Sequence, residues 1–156
     1  MIVKVVSYAL LPVLLCACVS MRAVPQGPSD VNVTGIWDGT TQVLACDSAG
    51  SGRCDALNKV VFSLQQRGSR IAGRYHCSYG NFECRHEGID TDGYVQWGDM
   101  HASAVRLNVL LPTDLSSCIH NGNVSLNTIA GTYQCYEGGA LIEQGTWRTV
   151  RSASAG

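Results

Sequence analysis

The sequence predicts an all-β domain, an antiparallel small β-barrel of eight or nine strands stapled by hairpin disulfides. Three observations predict it. From Val31 to Arg151 apolar residues recur with period two, which places alternate side chains on one face of a strand. These short segments are separated by glycine-containing turns, in a chain with 17 glycines against 4 prolines. Six of the 8 cysteines, from Cys46 onward, fall into pairs centred on turn-like sequence. Helix signals are nearly absent.

Strands are expected near residues 32–46, 57–66, 70–78, 82–88, 94–101, 104–111, 116–125, 128–137 and 140–151. Val60, Phe62 and Leu64 alternate with Val61, Ser63 and Gln65, and Val105, Leu107, Val109 and Leu111 alternate with Arg106, Asn108 and Leu110. An internal echo links two segments: Ile71-Ala72-Gly73-Arg74-Tyr75-His76-Cys77 matches Ile129-Ala130-Gly131-Thr132-Tyr133-Gln134-Cys135 at five of seven positions. In each, Ile, Gly, Tyr and Cys share one face, and the glycine removes a side chain where a sheet bends or a bulky neighbour approaches. Chance and duplication account for the echo equally well.

Six cysteines permit fifteen connectivities, and spacing favours pairing neighbours in order. Cys46 and Cys54 are centred on Gly50, Cys77 and Cys84 on Gly80-Asn81, and Cys118 and Cys135 on Leu126-Asn127. Residues equidistant from a hairpin turn lie opposite one another, at the separation a disulfide needs. Each bridge is worth about 2 to 3 kcal/mol through restriction of the unfolded chain. Together they rival the ~5 to 15 kcal/mol by which a domain is usually stable. The spacings suit staples better than a zinc site, because no CxxC occurs after the N-terminal segment.

The chain is 156 residues long, 46% apolar and 15% charged, with a formal net charge of −1, which fits one core-forming domain and argues against a nucleic-acid binder working through a basic face. The apolar run from Val5 to Val19 is short for the ~20 residues of a membrane span and reads as an export signal. Its end, Leu15-Cys16-Ala17-Cys18, resembles a bacterial lipobox, with an aliphatic residue at −3 and a small one at −1 before the cysteine that is lipidated. The resemblance implies a signal peptide over 1–17 and lipidation at Cys18, leaving six cysteines, an even number, for disulfides. Cysteine at −2 departs from the usual pattern. An ordinary secretory signal, with Cys18 free or removed, is the alternative. In lipoproteins an Asp after the modified cysteine commonly retains the protein in the inner membrane; here Val19 follows, implying the bacterial outer membrane, periplasmic or surface-facing. Residues 18–30 read as a flexible tether, 31–151 as the barrel and 152–156 as a tail.

Gly35-Ile36-Trp37 opens the domain and Gly145-Thr146-Trp147-Arg148 closes it, with Arg151 following. Pairing of the first and last strands would close the sheet and remove its edges, with Trp37 and Trp147 plugging one end. This resembles the calycin group of barrels, lipocalins and avidins, where a Gly-x-Trp in the first strand meets an arginine from the last. Gly35, Trp37 and either Arg148 or Arg151 carry the match.

Catalytic signatures are missing from the sequence. There is no GxSxG or HExxH, and His76, His86, His101 and His120 are scattered. His76 and His86 lie nearly equidistant from the Gly80-Asn81 turn and could meet; a metal site there would need Glu83 or Glu87 as a third ligand, and a pair of solvent-facing strand histidines is the favoured account. Asp90-Thr91-Asp92-Gly93 reads as a reverse turn, and Glu137 and Glu143 as solvated acids flanking the turn at Gly138-Gly139. No enzyme activity, metal or cofactor is expected. Trp37, Trp97, Tyr75 and Tyr133, with Arg74, are candidates for a barrel mouth that holds a small apolar or amphipathic ligand, against the plainer account of core packing. Tyr79, Asn81 and Phe82, at an expected hairpin tip, are candidates for contact with an envelope protein. The expected partners are thus the membrane, through the lipid, and either that ligand or a protein, as an assembly accessory or a hydrolase inhibitor.

Overall fold

The computed structural model describes residues 31–46, 57–78, 91–111 and 116–153. Eight strands follow in chain order: β1 (Gly35–Cys46), β2 (Leu57–Arg67), β3 (Arg70–Ser78), β4 (Thr91–His101), β5 (Ala104–Leu110), β6 (Ser116–Ser125), β7 (Thr128–Glu137) and β8 (Ala140–Arg151). Each pairs antiparallel with its chain neighbour, and β1 pairs with β8 through Trp37↔Arg151 to Cys46↔Glu143, so the sheet closes as an up-and-down barrel. The expected segment 82–88 lies outside the described residues, as do Cys18, Cys54, Cys84, His86 and the Tyr79–Phe82 tip.

Four connections are two-residue turns, and their backbones explain their chemistry. Gly68 (φ 62°), Gly138 (φ 57°) and Gly139 (φ 85°) take the left-handed conformations that tight hairpins demand. Ala102 (φ 52°) and Leu126 (φ 53°) occupy the same region without the freedom of glycine. The turns after β2, β4 and β6 share one end of the barrel with the chain segment entering β1. The ends of β1, β3 and β5 share the other with the turn after β7.

Alternation works as expected along β2, where Val60, Phe62 and Leu64 are buried together with Asn58; along β8 it buries Glu143, Gly145, Trp147 and Thr149. A bulge interrupts it in β4. Val95 and Met100 both point inward although five residues apart, because the register slips between Val95 and Trp97, leaving Gln96 and Trp97 both outside.

The echo strands turn out to be β3 and β7, four strands apart on the eight-membered ring and so opposed across the interior. Phe62 stands opposite Tyr75 in the β2–β3 ladder, as His120 stands opposite Tyr133 in the β6–β7 ladder. The two ring pairs, with Trp147, fill the barrel's centre. Gly145 and Gly122 make room for them: a Cβ at Gly145 would lie 2.7 Å from the Tyr133 ring, and one at Gly122 2.9 Å from the Trp147 ring.

Cys118 and Cys135 face each other in the ladder and are bridged, with Cα atoms 4.0 Å apart. Cys46 and Cys77 are disulfide-bonded as well. The symmetric hairpin expected around Gly80-Asn81 is corrected, since Cys77 stands opposite Thr91 in the β3–β4 ladder. Likewise Thr91, Asp92 and Gly93, read as part of a reverse turn, open β4.

Candidate functional site

One end of the barrel is locked by a small set of residues. The Trp37 indole is buried and donates from Nε1 to the carbonyl of Val33 at 2.8 Å. The Arg151 guanidinium lies 4.4 Å from the ring centroid and donates to two carbonyls, from Nη1 to Thr34 at 2.5 Å and from Nη2 to Asn32. Gln66 holds the same segment from the opposite side, accepting from Val33 N at 2.8 Å and donating to Val31 O at 3.2 Å. Gly35 is in the positive-φ region (138°), and a Cβ there would sit 3.3 Å from Arg151 Nη1. Of the two arginines the sequence left open, Arg151 makes the lock; Arg148 stands on the outer wall opposite Ala130.

Above this lock lies a polar and aromatic layer. The His120 ring, with 0% exposure, is surrounded by Trp147 (centroids 5.2 Å), Phe62 (5.3 Å), Tyr133 (5.5 Å, stacked) and Tyr75 (6.0 Å). Tyr133 donates its hydroxyl hydrogen to Glu143 Oε1 at 2.5 Å, and Glu143 is 1% exposed. Nearby on the strands that meet at this end, Asn58 donates from Nδ2 to Thr41 Oγ1 at 3.3 Å, and its own Oδ1 accepts no hydrogen bond among the described residues. A buried carboxylate, imidazole and amide in one small barrel cost stability that leucines would not, so this layer stands out from ordinary core.

The sequence-derived candidates separate into three places. Tyr75 and Tyr133 point into this layer. Trp37 belongs to the lock at the other end. Arg74 is exposed on the outer wall, as is Trp97, which is 41% exposed and stacked under the Arg106 guanidinium at 5.1 Å. The sequence reading missed His120 and Glu143, and the expectation of a solvated Glu143 is corrected by its burial. The signal was available. Counting back by twos from Trp147 places Glu143 on the inner face, and counting from Cys118 does the same for His120.

On the outside, His76 Nδ1 and Asp92 Oδ1 are 2.8 Å apart, and Ser78 Oγ lies 3.5 Å from His76 Nε2. The order of groups is that of a serine hydrolase triad. The geometry is loose, and Asp92 is 88% exposed. No group of three or more metal-ligating side chains occurs among the described residues.

Lock and layer together define the class: a closed, antiparallel, eight-stranded up-and-down barrel, sealed at one end and polar within the opposite half. No protein-family model and no curated protein matches the chain.

Proposed function

We propose that this chain is an envelope lipoprotein, anchored in the bacterial outer membrane through a lipid on Cys18, whose calycin-like barrel binds a small amphipathic molecule without transforming it. The observation that carries the reading is the polar layer inside the barrel, set apart from the sealed end. Trp37, Arg151 and Gln66 spend their hydrogen bonds sealing that end, while Tyr75 and the buried Tyr133–Glu143 pair gather around His120 above it. A ligand entering from the opposite end would lay its apolar part on the rings and direct its polar head at the pair. The Gly35, Trp37 and Arg151 arrangement supports the calycin resemblance, and the Leu15–Cys18 motif supports the lipid anchor.

The test is native mass spectrometry of protein extracted under mild conditions, followed by tryptophan fluorescence titration with lauric acid and a lysophospholipid. A co-purifying mass, and a saturable signal weakened at least roughly tenfold in Tyr133→Phe, support the proposal. Absence of both a bound mass and a saturable signal overturns it. Mass analysis of the mature amino-terminal peptide tests the anchor, since an unmodified cysteine there refutes that part alone.

A second reading has one observation in its favour. The rings packed 5.2 to 6.0 Å around His120 fill the central layer, and a filled interior moves recognition to the outside. The chain would then be a protein-interaction module of the envelope, an assembly accessory or a hydrolase inhibitor. Altering Tyr79, Asn81 and Phe82 would abolish capture of its partner, an effect the ligand-binding reading does not produce.

A further inference from the structure

We propose that the outer wall carries a separate site for a neutral, hydroxyl-rich ligand, a saccharide, in a groove of about 470 Å³ running across β4, β5, β6 and β7. The volume lies within the range of small-molecule sites. Gly122 and Gly131 face each other across the β6–β7 ladder on its inner side, and a Cβ on Gly131 would lie 1.9 Å from Asn121 O, so the wall sits close against the core there. From inside, Trp147 Nε1 donates to that same Asn121 carbonyl at 3.1 Å, which ties the groove's floor to the barrel core and fixes the strand bearing the Asn121 amide.

The lining selects the ligand chemistry. The ladders align Asp99, Arg106, Asn121 and Thr132 in one row across four strands, with His101 and Asn123 in the adjoining row. Asp99 and Arg106 are cross-strand neighbours, yet the guanidinium is turned over Trp97 rather than onto the carboxylate. Asp99 therefore offers acceptors to the groove, the two asparagines offer both donors and acceptors, and Thr132 offers a hydroxyl. One acid and one base cancel, so nothing selects an anion or a cation. Ala104, Val105 and two glycines line the groove as well, so apolar surface lies beside the amides, the carboxylate and the hydroxyl. Hydroxyl groups, which both donate and accept, match the polar part, and the apolar faces that sugar rings also present match the rest. The barrel wall separates this groove from the interior layer, so the two sites stand or fall independently.

The test is an amide-resolved NMR titration of the whole protein with maltotriose and with the N-acetylglucosamine trimer, and with inorganic phosphate as an anion control. Saturable shifts confined to strands β4 to β7, with a Kd on the order of 1 mM or tighter for at least one sugar, are expected. They should weaken at least roughly tenfold in Asp99→Ala/Asn121→Ala, and in Thr132→Val as an independent variant, with far-ultraviolet circular dichroism unchanged. No saturable shift with either sugar, saturation by phosphate at the same amides, or unaltered binding in both folded variants overturns the proposal.

Discussion

Replacing Arg151 with alanine removes three interactions at once from the sealed end. Two are guanidinium hydrogen bonds to the carbonyls of Thr34 and Asn32, and one is the stacking over Trp37 at 4.4 Å. Charge-assisted hydrogen bonds are worth ~1.5 to 3 kcal/mol when shielded, but these face solvent, so about 1 kcal/mol each is appropriate. A partly exposed cation–π contact adds ~0.5 to 1 kcal/mol. The sum is about 2.5 to 3 kcal/mol, and at roughly 4 °C per kcal/mol for a domain of this size the melting temperature should fall by about 10 to 12 °C. Arg151→Lys keeps a charge over the indole but loses the fork that spans two carbonyls, and should recover no more than about half. Arg148→Ala, on the outer wall, should stay within about 0.5 kcal/mol of wild type. Urea unfolding followed by tryptophan fluorescence measures all three. If Arg151→Ala and Arg148→Ala prove equally harmless, the lock is not a lock and the reasoning fails.

Four further outcomes are expected. Leu126→Gly should stabilise the chain by up to about 1 kcal/mol, because the side chain is 94% exposed at a φ of 53° and has little packing to lose; a clear loss in thermal unfolding would refute this. Gly131→Ala should cost more than about 2 kcal/mol, or prevent folding, since its Cβ meets backbone at 1.9 Å, whereas in Gly138→Ala there is no atom within 4 Å to strike and only the positive φ, about 1 kcal/mol, is felt; equal losses in the two would contradict the close approach of β6 and β7. Cys118→Ala/Cys135→Ala should lower stability by about 3 kcal/mol through the freed 17-residue separation, read as the urea midpoint under oxidising conditions. Glu143→Leu should cost about 1 to 3 kcal/mol by removing the carboxyl that accepts from the buried Tyr133 hydroxyl, while Glu143→Gln keeps an acceptor and should cost less; the reverse order in chemical unfolding would count against the hydrogen bond.

The strands were legible because alternation is a local property. All eight start within three residues of where the apolar pattern and turn residues place them, and β4 opens three residues early, at a stretch whose Asp-Thr-Asp-Gly composition imitates a turn. The interior layer was only half legible. Tyr75 and Tyr133 carry an aromatic signal, but His120 and Glu143 look like surface residues by type, and only their parity with Cys118 and Trp147 marks them as inward. Trp97 misleads for the opposite reason: by type it belongs inside, and the β4 bulge turns it out.

Period two, paired turns and a cysteine pair symmetric about Leu126-Asn127 were thus enough, from sequence alone, to specify an antiparallel all-β chain and one cross-strand staple, since each depends on residues a few positions apart. Only the tertiary structure decided that Arg151 rather than Arg148 caps Trp37, that the two echo strands oppose each other around His120, and that Gly122 meets Gly131 on the inner side of the wall. Those outcomes depend on how far each ladder is shifted and where it slips when the ring closes. Closure is a property of all eight strands together, and no short stretch of residues encodes it.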